Sequence, residues 1–196
     1  MNFFKKILSN YKESKKHQEI KAEPVNLSLD DAFVHHFINK GGKFLYCTNI
    51  DEVVYSVQRI LEENNWKEVI CSDVDLKKIA KKVGVLTQEK NQKSLPFFTT
   101  CEHLISDKGE VMFTSNQLGS QRFNLFSDNF IVYATTSQIV KTTNEGLSSI
   151  KTRYSGNLPT NIGAIKNYEV EKIEESNLDY STSNTKNLYL ILFEDL

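Results

Sequence analysis

Three cysteines in 196 residues, Cys47, Cys71 and Cys101, are too few and too scattered for a disulfide framework. The odd count and the lack of a C-x-x-C pair also argue against an iron–sulfur cluster or a zinc knuckle. Such a chain is at home in a reducing cytoplasm. There is no charge of one sign in excess. The formal net charge is −1, so the chain lacks the positive field that draws in nucleic acid. No apolar run approaches the ~20 residues that a membrane span needs. The start, Met1–Lys6, lacks the long apolar stretch and small-residue cleavage site of a secretory signal. The G-x-G-x-x-G fingerprint, the Walker loop, the G-x-S-x-G elbow and the H-E-x-x-H pair are all missing, which removes the most easily read enzyme classes. No cofactor or metal is expected. Internal repeats and low-complexity segments are missing too.

What remains is an ordinary globular composition, 39% hydrophobic and 25% charged, long enough for one domain with its own core. The richness in Asn, Lys and Ile is that of an AT-rich bacterial genome. Residues 2–20 read as a basic amphipathic helix. Phe3, Phe4, Ile7, Leu8 and Tyr11 share a face, and lysines line the rest. A linker, Ala22 to Asn26, carries Pro24 and closes this segment. The organisation is therefore 1–26, helix and linker, then 27–196, an α/β domain.

Ser28 caps a helix over about Leu29–Lys40, stopped by Gly41-Gly42. Lys43–Cys47 reads as a strand. Asn49 and Glu52 open the next helix, where Ile50, Val53, Val54, Val57, Ile60 and Leu61 give a clean helical period. Trp66–Cys71 is a strand, and a short helix around Leu76–Val83 ends at Gly84. Strand alternating with helix implies crossover units and a mostly parallel sheet in a three-layer sandwich. Residues 87–94 read as a polar loop and Leu95–Thr100 as a strand. Gly109–Thr114 and Asn129–Thr135 are strands, and a fresh element starts in Ser137–Lys141. Asn144–Lys151 is a helix, 153–164 a loop, Tyr168–Ile173 strand or helix, and Asn187–Phe193 a buried closing strand.

Cys101-Glu102-His103 places a thiol, a carboxylate and an imidazole together. On a strand Cys101 and His103 share a face, as a nucleophile and its base require. The plainer expectation is a partly buried Cys beside a surface His. His36, on the apolar stripe of its helix, reads as a satisfied core histidine. Ser106-Asp107-Lys108-Gly109 either aims a carboxylate into a crevice or is a simple solvated turn. Three loops are rich in donors. Thr114–Arg122 holds Ser115, Asn116, Gly119, Ser120 and Arg122. Thr135-Thr136-Ser137 follows a strand, at the end where open α/β sheets bind ligands. Tyr154–Asn161 holds Ser155 and Gly156. Backbone N–H groups with one arginine can hold a phosphate or carboxylate.

These segments resemble the lactate utilisation protein C family, also called the LUD domain. Ile105–Phe113 (ISDKGEVMF) is similar to that family's A-E-T-G-T-V-V stretch, with Asp107 where the family has glutamate. Ser127–Tyr133 resembles its L-P-x-x-H-I-V-V strand, Ser137–Val140 its x-Q-I-V, and Ser155-Gly156 with Thr160–Ile162 its S-G-P-S-x-T-A-D-I loop. Asn187–Asp195 stands where the family has its closing strand. The resemblance spans about 40–196. It implies the fold shared by ribose-5-phosphate isomerases, glucosamine-6-phosphate deaminases and CoA transferases. It also implies a role near the oxidation of lactate to pyruvate, beside iron–sulfur partner subunits.

Three functions stay open. The first is an accessory protein holding a small anionic metabolite with Gly109, Ser115, Asn116, Gly119, Ser120, Arg122, Thr135, Thr136, Ser155 and Gly156. The second is an isomerase- or CoA-transferase-like enzyme on a small phosphorylated or acyl substrate, with Asp107 as base or nucleophile. The third is a non-catalytic interaction module. In that case the N-terminal helix docks on a partner or an anionic membrane surface, unless it packs on its own domain or on the mate in a homodimer.

Overall fold

The computed structural model describes residues 27–119, 121, 123–168 and 185–195. The expected N-terminal helix and linker lie outside them, as do Ser120, Arg122 and most of Tyr168–Ile173.

Helix α1 (Leu29–Asn39) starts where Ser28 accepts the Asp31 N–H. Strand β1 (Lys43–Cys47) leads to α2 (Ile50–Glu63), capped by Asn49. Strand β2 (Glu68–Ile70), α3 (Val74–Lys82) and β3 (Leu86–Gln88) follow. Then come β4 (Phe97–Thr100), β5 (His103–Ile105) and β6 (Glu110–Thr114). A short helix α4 (Ser115–Leu118) precedes β7 (Asn129–Thr135), a 3₁₀ turn (Thr136–Gln138) and β8 (Ile139–Val140). Helix α5 (Thr143–Arg153), β9 (Ile162–Ile165) and β10 (Asn187–Phe193) complete the order.

Six strands form one parallel sheet in the order β1-β10-β7-β4-β2-β3. The closing strand β10 is central, between β1 and β7, so both of its faces are buried. Strand alternation sorts its side chains into two cores. Leu188, Leu190 and Leu192 join Phe130, Val132 and Ala134 of β7 under α1. Tyr189 and Ile191 join Ile131 in a second core against α2 and α3. The fold is thus an α/β sandwich of three layers around a parallel sheet.

The layer on the α1 side differs from the sequence expectation. It contains a second sheet, β8-β5-β6-β9, with β5 antiparallel to β6, β6 antiparallel to β9, and β5 parallel to β8. Residues 162–164, expected in a loop, are strand here, because β9 pairs along β6. Leu86–Gln88, also read as partly loop, forms an edge strand on β2. Its polar, half-exposed side chains carried no strand period. Leu104, Val111 and Phe113 face the main sheet, while Ile105, Met112 and Ile150 pack between the second sheet and α5. Among the described residues, no helix is long and apolar enough to cross a membrane.

Candidate functional site

Two local motifs share one design. Thr114, ending β6, accepts from the Asn116 N–H, and Gln117 Oε1 accepts the Thr114 N–H at 2.8 Å. Thr135, ending β7, donates its N–H to Gln138 Oε1 at 2.8 Å. Each is a T-x-x-Q capping box. A glutamine used this way spends its oxygen on the cap and keeps its NH₂ to donate. Both NH₂ groups turn to the chain just after β4. Gln138 Nε2 donates to the Cys101 carbonyl at 2.6 Å and the Glu102 carbonyl at 3.3 Å. Gln117 Nε2 reaches Glu102 Oε2 at 3.4 Å.

Glu102 is the hub. Its side chain is 1% exposed, and it accepts from Arg153 Nη1 at 2.9 Å. The Tyr154 hydroxyl lies 3.2 and 3.3 Å from its two oxygens, and the Thr114 hydroxyl 3.4 Å from Oε2. Arg153 and Tyr154 come from the C-terminal end of α5, where a cation also suits the helix dipole. The Arg153 side chain is 53% exposed, so Nη1 holds Glu102 while the rest of the guanidinium still meets solvent. Such a fork can accept a second carboxylate or a phosphate.

The loops around this hub are laced together. Ser115 N–H donates to the Asn161 carbonyl at 2.9 Å, and Thr160 N–H to Ser115 Oγ at 3.1 Å. Asn161 Nδ2 reaches the Gln121 carbonyl at 3.3 Å. The donors of the Thr135–Ser137 loop are engaged by the chain's own Asp195. Its carboxylate accepts from Thr136 Oγ1 at 2.8 Å, Ser137 N–H at 3.0 Å and Ser137 Oγ at 2.6 Å. Partial burial raises its pKa, but the bonds from Ser137, Thr136 and Thr135 win and hold the carboxyl below the usual range.

The chain matches the LUD domain family over residues 31–193. It belongs to that family. The crystal structure of a DUF162 family protein from Deinococcus radiodurans resembles this LUD domain with a TM-score of 0.61 and 15% identity, covering 86% of this chain and 99% of that one. At that identity the likeness speaks to the fold. No curated protein matches the chain.

In this LUD domain, Ser115 and Asn116 on α4, Gly119 behind it, and Ser155 and Gly156 after α5 belong to the two laced loops. Thr135 and Thr136 belong to the third. Asp107 and Gly109 lie elsewhere. They form the turn of the β5–β6 hairpin, at the far end of β5 from Glu102. Asp107 is exposed and its N–H bonds the Lys141 carbonyl at 3.0 Å. Gly109 has φ +59, and a Cβ there would meet the Phe37 backbone N at 2.4 Å, so its absence of side chain serves the packing of α1. Its carbonyl accepts from Tyr168 at 2.7 Å.

The Cys101–His103 pairing does not become a catalytic couple. Cys101 is buried, and burial first, then the neighbouring Glu102 charge, pushes its thiol far above the ordinary range, which leaves no thiolate to attack. The expectation of a surface histidine is corrected: His103 is 3% exposed, because α5 covers it. His36 is satisfied as expected, with Nδ1 2.9 Å from the Ser106 carbonyl. Reading by spacing placed Glu102, Gln117 and Tyr154 in the segments it singled out without choosing them as site residues, and it passed over Gln138, Arg153 and Asp195. The doubled T-x-x-Q, TSNQ at 114–117 and TTSQ at 135–138, was the signal available for two of them.

Proposed function

We propose that this LUD domain binds a small carboxylate- or phosphate-bearing metabolite where Ser115–Gly119 meets the 155–161 loop, as an accessory of lactate oxidation to pyruvate beside iron–sulfur subunits. The observation that carries this reading is Arg153. It is a half-exposed arginine fixed in place by a buried carboxylate, at the junction of two laced loops rich in hydroxyl and amide groups. A guanidinium already held through one nitrogen loses less freedom on gripping an anion, which favours binding. Membership of the LUD domain family supports the metabolic setting. Asp107, exposed and remote from these loops, gives the enzymatic reading no comparable support.

Thermal-shift measurements with lactate, pyruvate, a sugar phosphate and coenzyme A test it. A ligand at one hundred times its Kd stabilises by about 2.7 kcal/mol, a rise of roughly 5–10 °C in Tm for a chain of this length. The rise should shrink in Arg153→Lys, which keeps the charge but loses the fork, and vanish in Arg153→Gln. An unmoved Tm with every anion, or an undiminished shift in Arg153→Gln, would sink the reading.

A further inference from the structure

Strand β5 opens with an imidazole set directly after the Glu102 hub, and one helix closes over both. Near its start α5 lies on His103 at Gly146. A Cβ added at Gly146 would stand 3.5 Å from the His103 ring, 3.3 Å from Ile105 and 3.4 Å from Met112. At its end, Arg153 and Tyr154 clasp Glu102. His103 Nδ1 meets the Gln138 carbonyl at 3.3 Å, while Nε2 is buried and unpartnered. Ile105 shares its strand face and Met112 stands across from it on β6, in the apolar cluster that Ile150 of α5 completes.

This environment suits one protonation state. A neutral ring with its proton on Nδ1 donates to Gln138 and presents a bare Nε2 to the apolar wall. An imidazolium carries N–H on both nitrogens, and the second then has no acceptor among the described residues. Two charges reach the ring: Glu102 from its own strand, which favours protonation, and Arg153 from α5, which opposes it. Strand β6 sets Met112 across from it, and the turn before β8 offers only the Gln138 carbonyl. Burial outweighs the favourable contacts, so the imidazole is a weaker base here than in water.

We propose that His103 is a pH-sensitive latch on α5. Neutral, it lets the helix seat on β5 and β6. Protonated, it unseats the helix and withdraws Arg153 and Tyr154 from Glu102. The consequence for ligand affinity rests on the binding site proposed above; the latch itself does not.

Hydrogen exchange on the full chain, without ligand, reads the latch directly. Protection of α5 amides, corrected for the intrinsic rate at each pH and compared with β7 and β10, should fall up to about tenfold between pH 7.5 and 5.5. That ratio follows from an imidazole of ordinary pKa, near 6.5, once α5 has opened. His103→Asn keeps a donor for Gln138 and cannot titrate there, so its α5 protection should stay level. Unchanged α5 protection in the native chain, an equal fall in His103→Asn, or a uniform fall across β7 and β10 would overturn the latch. Anion binding at pH 7.5 is read separately, so either proposal can fail without the other.

Discussion

Glu102 has four donors around it and almost no contact with water, whereas its counter-ion, Arg153, is half in solvent. That difference sets an asymmetry between the two partners. Removing the arginine strands a buried carboxylate, which costs several kcal/mol when the site cannot rehydrate. Replacing the carboxylate by its amide leaves an arginine free to turn into water and loses only part of the hydrogen bonding. Urea unfolding at pH 7.5 should therefore show Arg153→Gln less stable than the native chain by about 3 kcal/mol and Glu102→Gln by about 1 kcal/mol. Equal costs would mean that the carboxylate is not the desolvated partner. None of this was readable along the chain. Residues 102, 114, 117, 153 and 154 have no spacing that marks them as neighbours, and Glu102 looked like one acid beside a more conspicuous Cys and His.

At the scale of elements, the T-x-x-Q boxes do two tasks each. They cap the turn after a strand, and they tie that turn to the end of β4. Gln138 serves the Thr135 N–H together with the Cys101 and Glu102 carbonyls. Gln138→Ala frees a buried carbonyl and loosens the cap, and should cost about 1–3 kcal/mol in chemical denaturation. A change below 0.5 kcal/mol, the range of ordinary surface substitutions, would show that these bonds are replaced by solvent. Elements with a long period were legible. α1, α2 and α3 follow from caps and apolar stripes, and β1, β7 and β10 from runs of apolar and aromatic residues. Short strands were not. β5, β8 and β9 have two to four residues, less than one full alternation needs to show itself. They exist because a neighbour offers each an edge: β6 pairs with β5 and β9, and β5 in turn pairs with β8.

Across the whole molecule, ionisable groups buried in their neutral forms bound the pH range of stability. On the acid side is His103, whose folded pKa is lowered. The unfolded chain binds more protons there, so stability rises with pH and is lost as the pH falls below about 6.5. Asp195, also lowered, adds a contribution present above the ordinary carboxylate range and lost only in stronger acid. On the alkaline side, burial raises Cys47, Cys71 (to about 11), Cys101 and Tyr168. Their contribution is complete below about pH 8.5 and fades as the pH climbs toward the folded values. Unfolding free energy against pH should form a plateau between about 6.5 and 8.5; His103→Asn should flatten its acid shoulder, and an unaltered shoulder would contradict the assignment.

By itself the sequence determined the α/β class, the parallel main sheet and the helices that cover it, because periodicity and caps act over neighbouring residues. The resemblance of its 105–163 stretch to the LUD domain came from the same local information. Only the tertiary structure decided that β10 runs through the middle of the sheet, that a second sheet stands beside it, and that Thr114, Gln117, Arg153 and Tyr154 converge on Glu102, with Asp107 at the other end of β5. The reason is physical. A hydrogen bond from residue 153 to residue 102 is worth little until the chain between them has paired β5 with β6 and laid α5 across both.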